Sequence, residues 1–186
     1  MIYRFMFKGY PNSEKYTIKN TTDFFNPSVF TFDDMMFLYV EAKEPVINPD
    51  DVIDADMKKY PDGKSWEEMS EIFHYSQPQS DEDWMRKQKK TPNLRINYVR
   101  PGKISSYIYY HFQYQEEFPC DGDKYGIIFH SGNLLTLYTE SPCEYQEPYK
   151  GLLSTQNSPR DDDWQELMET HFQPDFGGWK ASKQVK

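Results

Sequence analysis

Residues 107–126, YIYYHFQYQEEFPCDGDKYG, bring together five tyrosines, a histidine, two adjacent glutamates, a cysteine and two aspartates. Side chains of these types stack rings, move protons or ligate metals, depending on which of them the fold makes converge. Read as a strand, the stretch places Ile108, Tyr110, Phe112 and Tyr114 on a core face. The opposite face then carries Tyr107, Tyr109, His111 and Gln113, a candidate wall for a small-molecule groove, followed by Gln115 and Glu117. His111 and Glu117 do not form a dyad in that geometry, because six residues along a strand span about 20 Å.

The turn that follows holds Cys120, Asp121 and Asp123. In an up-down-up meander it lies at the same end of the sheet as the exit of the third strand, where Cys143 stands between Glu140 and Glu144. Cys120, Asp121, Asp123 and Cys143 are therefore weak candidates for metal ligation. They mix soft thiolates with hard carboxylates and show no ligand-spacing signature. The run Asp121-Gly122-Asp123 begins like a calcium loop, but the position of the closing glutamate is Gly132. No metal and no cofactor is expected.

Phosphate-cradling, dinucleotide-binding, HExxH, CxxC and GxSxG motifs are all absent. Any catalysis must rest on dispersed residues gathered by the fold. His74 and His171 fall in the last turns of expected helices, where a cation complements the helix dipole. Asn20-Thr21-Thr22 matches a glycosylation acceptor, with no secretory signal beside it.

The elements that must position these residues are signalled unevenly. Tyr3, Phe5 and Phe7 alternate with Arg4, Met6 and Lys8 as in a half-buried strand. Met35–Val40 is an unbroken apolar run read as a buried strand, although Thr31 with Asp34 imitates a helix cap. Leu94–Val99 reads as a strand ending at the Pro101-Gly102 turn. Residues 104–117, 125–130 and 134–140 read as three successive strands, the last two joined by Ser131-Gly132-Asn133. Four helices are expected from cap chemistry: one from Asn48-Pro49, one from Ser65 with Glu68, one from Ser80, and one from Ser158-Pro159 that carries Trp164, Leu167, Met168 and Phe172 on one face.

The chain has 186 residues, 17% of them aromatic, enough for one ordinary domain with an aromatic core. The expected fold is α+β: a single domain over residues 1–186, with an antiparallel meander over about 104–140 packed by short amphipathic helices and a polar, unstructured tail from about residue 180. No run is apolar enough to cross a membrane, and the opening MIYRFMFKGYPNS lacks the core of a signal peptide. A cytoplasmic location is expected, and two cysteines do not make a disulfide framework.

Charge is arranged as acid, base, acid. Residues 44–83 hold twelve acids against three bases, and no acid lies between Asp83 and Glu116. A net charge of −9 repels nucleic-acid phosphates and anionic membrane surfaces while favouring encounter with a basic protein. The expected function is thus a non-catalytic acidic binding protein of the immunity or inhibitor type, engaging a basic partner through Asp50, Asp51, Asp54, Glu67, Glu68 and Glu71. The alternative is a small-molecule binder or enzyme using the Tyr/His-lined groove.

Overall fold

The computed structural model describes residues 1–19 and 22–185, so the Asn20-Thr21 acceptor lies outside the described residues. The protein is α+β, and its paired strands run antiparallel. The chain divides into two compact units: unit 1 comprises residues 1–70, 78–88 and 182–186, and unit 2 comprises 71–77 and 89–181.

Unit 1 is built on the N-terminal apolar runs. Strands β1 (Tyr3–Gly9), β3 (Phe24–Phe32) and β4 (Met35–Ala42) pair in the order β1-β4-β3, and β4 is buried along its whole length. An unbroken apolar run suits a strand covered on both faces, so Met35–Val40 is a strand as read. β2 (Pro11–Ile18) pairs with β5 (Ile53–Met57). β6 (Glu67–His74) begins in unit 1, where Met6 and Met69 face each other across β1 and β6. The core of unit 1 gathers Phe5, Phe7, Val29, Leu38, Val52 and Trp66.

Two helices expected here are not formed. Asn48 does cap, accepting from the Asp50 amide, but only a 3-10 turn, Pro49–Asp51, follows before β5 takes over. The helix expected from Ser65 is replaced by strand β6, Glu67–His74. Its buried residues Met69 and Phe73 are four apart, a spacing that falls on one face of a helix and equally on one face of a strand. The helix started by Ser80 is confined to α1 (Asp81–Trp84), with the Ser80 hydroxyl accepting from the Asp83 amide.

Unit 2 contains β7 (Thr91–Tyr98), β8 (Ile127–Ser131) and β9 (Leu134–Ser141), in the order β7-β9-β8. The expected hairpin at Gly132 is present, with Ser131 opposite Leu134 and glycine at a φ of 59°. The first arm of the expected meander is not a strand: residues 104–117 form helix α2 (Ile104–Glu117). Ile104, Tyr107, His111 and Tyr114 recur at helical spacing and pack in the core of this unit, while aromatic residues at nearly every intervening position give the same stretch a strand-like composition.

The last expected helix is present in part as α3 (Asp161–Glu169), with Met168 buried and Trp164 and Leu167 against the core; Arg160, not Ser158, holds its cap position and makes no side-chain cap bond, and Phe172 lies beyond its end, bridged to Val99. Trp164 lies against α2, on His111 at 5.0 Å and Tyr114 at 4.7 Å between ring centroids. Residues from 180 onward, read by composition as a tail, supply β10 (Lys180–Ala181), paired with β7, and β11 (Lys183–Val185), paired with β3.

Candidate functional site

One opening in unit 1 lies at one end of the β3–β4 hairpin. Register pairs Phe24 with Ala42, which sets the start of β3 beside the loop that leaves β4. The Asn48-capped turn closes the third side. The resulting groove encloses about 600 Å³ and is lined by Asp23, Glu44 and Asp51 around Phe24, Val46 and Ile47. Val46 is 81% exposed. Lys43, the single base among the described lining residues, is bound to Asp81 at 2.7 Å. A second opening of about 500 Å³ is framed by Tyr60, Asp62, Lys64 and Trp66, with Glu67 and Glu68 on its edge. There burial, and then Glu67, Tyr10 and Asp62, push the Tyr60 hydroxyl up to about 12, so it stays protonated and able to donate.

The acids singled out by charge are distributed over several elements. Asp50, Asp51 and Asp54 are exposed on the 3-10 turn and β5. Glu68 is also exposed, whereas Glu67 is half-buried and bound to Lys8 at 3.1 Å. Glu71 stands in unit 2, 2.5 Å from His74 Nδ1. The six therefore do not make one set. Glu44, the first acid of the 44–83 run, and Asp23, outside that run, share the groove with Asp51 but are not among the six acids singled out, because the register of a hairpin joins segments some twenty residues apart without any local signal.

The Tyr/His set behaves differently from its strand reading. On α2, Tyr107 and His111 are four apart and both face the core, with ring centroids 4.0 Å apart. Burial, outweighing the hydrogen bond to the Tyr107 carbonyl, holds the His111 imidazole down at about 3, so it is neutral at physiological pH. Its Nδ1 lies 2.9 Å from the Tyr107 carbonyl, which accepts its proton. Tyr109 is 60% exposed on another side of the helix. Gln113 donates to Glu117. The four residues thus do not form one wall, and none of them lines either of the two openings described above.

The four weak metal candidates are engaged elsewhere. Asp121 accepts from the Tyr114 hydroxyl and pairs with Arg160 at 2.7 Å. Asp123 accepts from the amides of Tyr125, Glu140 and Glu144. Cys120 is buried, with its thiol directed at the Glu147 carbonyl, while Cys143 is exposed; both are free thiols. Among the described residues, no three His, Cys, Asp or Glu side chains converge as a metal would require. The glycines of this turn have a packing role. A Cβ at Gly122 or Gly126 would overlap the Tyr75 ring, whose backbone accepts from the Cys120 amide and donates to the Gly126 carbonyl.

Two ionic clusters, one buried and one half-buried, have no local signal in the sequence. In unit 1, Glu41 is fully buried and receives a bidentate pair of 2.7 Å bonds from Arg86. It also accepts from the Tyr39 hydroxyl, Trp84 Nε1 and Asn26 Nδ2. In unit 2, Lys90 and Lys124 converge on Glu144 at 3.0 and 3.4 Å. A buried carboxylate with this many donors is fully satisfied, which fits an anchor better than a reactive group. Among the described residues no helix is long and apolar enough to cross a membrane. Comparison with protein-family models, with curated proteins and with solved structures finds no match to the chain.

Proposed function

We propose that the protein is an acidic binding protein of the cytoplasm, of the immunity or inhibitor type, that engages a basic protein partner through unit 1. The observation that carries this reading is the groove at the end of the β3–β4 hairpin, where Glu44 and Asp51 are exposed beside Val46 while Lys43 is tied to Asp81. A groove that lines apolar side chains together with carboxylates matches a lysine or arginine whose aliphatic stem packs while its charge is met. Asp50, Asp54 and Glu68 extend the acidic surface on the same unit. Nucleic acid is disfavoured by the net charge of −9.

Binding is tested by recovering partners from the native host with the wild-type protein and with Glu44→Lys/Asp51→Lys. A basic protein retained by the first and lost at least tenfold by the second, with both folded alike, is the expected result. Retention of the same partner by both variants would remove the groove from the interaction.

A further inference from the structure

We propose that Ser106 and His171 form a nucleophile–base pair, which gives unit 2 a hydrolytic activity toward small carboxylic esters. His171 Nε2 lies 3.0 Å from Ser106 Oγ. The other ring nitrogen, Nδ1, lies 2.9 Å from the Leu167 carbonyl, which can only accept. Nδ1 therefore carries the ring proton, and the Nε2 lone pair is directed at the serine hydroxyl, the tautomer a general base requires. Orientation is fixed further by burial: His171 is 2% exposed, with the rings of Tyr107 and Tyr110 at 6.0 and 5.8 Å.

Ser106 is half-buried in the first turn of the fourteen-residue helix α2. Lys103, at the cap position, makes no side-chain cap bond. The amides of the first turn have no intrahelical acceptor, and they stand at the positive end of the helix dipole, where an oxyanion is stabilised. The Lys103 carbonyl is a second acceptor 3.0 Å from Ser106 Oγ, so the hydroxyl proton divides between two directions and the serine is only partly activated.

In the reaction, Ser106 Oγ bonds to the ester carbonyl carbon as its proton passes to His171 Nε2. The carbon–alkoxide bond breaks, and the imidazolium returns that proton to the departing alkoxide. Water then adds to the acyl-serine by the same proton cycle, releasing the carboxylic acid and restoring Ser106. Because a backbone carbonyl orients His171 in place of a carboxylate, the imidazolium is less stabilised and turnover is slow.

The activity is independent of the unit 1 groove. Success here would restrict the non-catalytic description to unit 1, and failure would leave the groove untouched. The full chain is treated with 4-nitrophenyl acetate and, separately, with a fluorophosphonate probe followed by peptide mapping. A nitrophenol burst of about one equivalent and a covalent adduct on Ser106 are expected, both absent in Ser106→Ala and unchanged in Tyr109→Ala. The burst rate should fall at least tenfold in a folded His171→Gln variant. No adduct on Ser106 in the folded wild-type protein, or an adduct only on other residues, would overturn the proposal.

Discussion

At the scale of single residues, the most informative carboxylate is Glu117 at the end of α2. It accepts from the amides of Asn157 and Ser158 and from the Thr155 hydroxyl, fastening the incoming loop to the helix. Partial burial would raise this carboxyl, but the bonds from Ser158, Thr155 and Asn157 outweigh it and hold Glu117 down at about 2, against an ordinary 4.5. A carboxyl depressed by folding stabilises the folded state above its unfolded value, and that contribution is lost as pH falls toward the folded one. The window is therefore about pH 4.5 down to about 2. Glu117→Gln is expected to melt below the parent at pH 7, with the two melting curves converging as pH falls through that window. Melting temperatures measured from pH 7 to 2.5 check this; a gap that is constant with pH would mean that the charge on Glu117 does not matter. In the sequence Glu117 stands only on a strand face and Ser158 only as a helix start; nothing local joins them, since the partners of Glu117 lie 38 to 41 positions away.

Among the elements, strands of unbroken or alternating apolar character were legible, and α2 was not. In β4 every side chain is covered, so composition and structure agree. In α2 a helical stripe and a strand-like composition coexist, and the tertiary contacts of Tyr107 and His111 decide for the helix. Cap chemistry was present at Asn48 and Ser80, but a cap supplies about 1 kcal/mol and cannot extend a helix whose next residues are taken by a sheet. The packing of α3 on α2 predicts a moderate cost for truncation at its centre. Trp164 is half-buried against His111 and Tyr114, so Trp164→Ala is expected to destabilise by about 2 kcal/mol, below the 3–5 of a fully buried ring. Denaturant unfolding measures it, and an unchanged midpoint would show that the ring does not hold the two helices together.

A stronger effect is expected where Glu41 holds residues 81–86 on unit 1. The Arg86 side chain is 11% exposed, and Arg86 and Trp84 both donate to Glu41. Glu41→Ala leaves the guanidinium buried without its carboxylate, a loss of about 3–5 kcal/mol. Hydrogen exchange should also accelerate first in residues 81–86. Uniform acceleration over the whole unit, without a local excess, would mean that the cluster does not anchor that segment. The acid-rich and base-rich stretches of the sequence gave no hint of this pairing, because Glu41 sits in an apolar strand and Arg86 in a basic run.

For the whole molecule, the fold redistributes the charge that the chain order segregates. Unit 1 carries sixteen acids against twelve bases and unit 2 fourteen against nine, net charges of −4 and −5, so the acidic run 44–83 does not create one uniformly negative half. Within unit 1, Lys8, Lys43 and Arg86 pair with carboxylates and Lys19 donates to the Asp50 carbonyl, while the Glu44, Asp50, Asp51 and Asp54 side chains are exposed. A field from a few clustered carboxylates acts over about one Debye length, about 10 Å at 0.1 M salt and about 3 Å at 1 M. It therefore changes how fast a basic partner arrives more than how slowly it leaves. With a purified basic partner, the association rate should fall at least tenfold between 0.05 and 1 M salt, with the dissociation rate changing by less than about threefold. Glu44→Lys/Asp51→Lys should flatten that salt dependence, whereas Glu71→Lys, on the other unit, should leave it nearly intact. Stopped-flow association at several salt concentrations separates these outcomes. A rate equally sensitive to salt in all three proteins would place the steering charge elsewhere on the molecule.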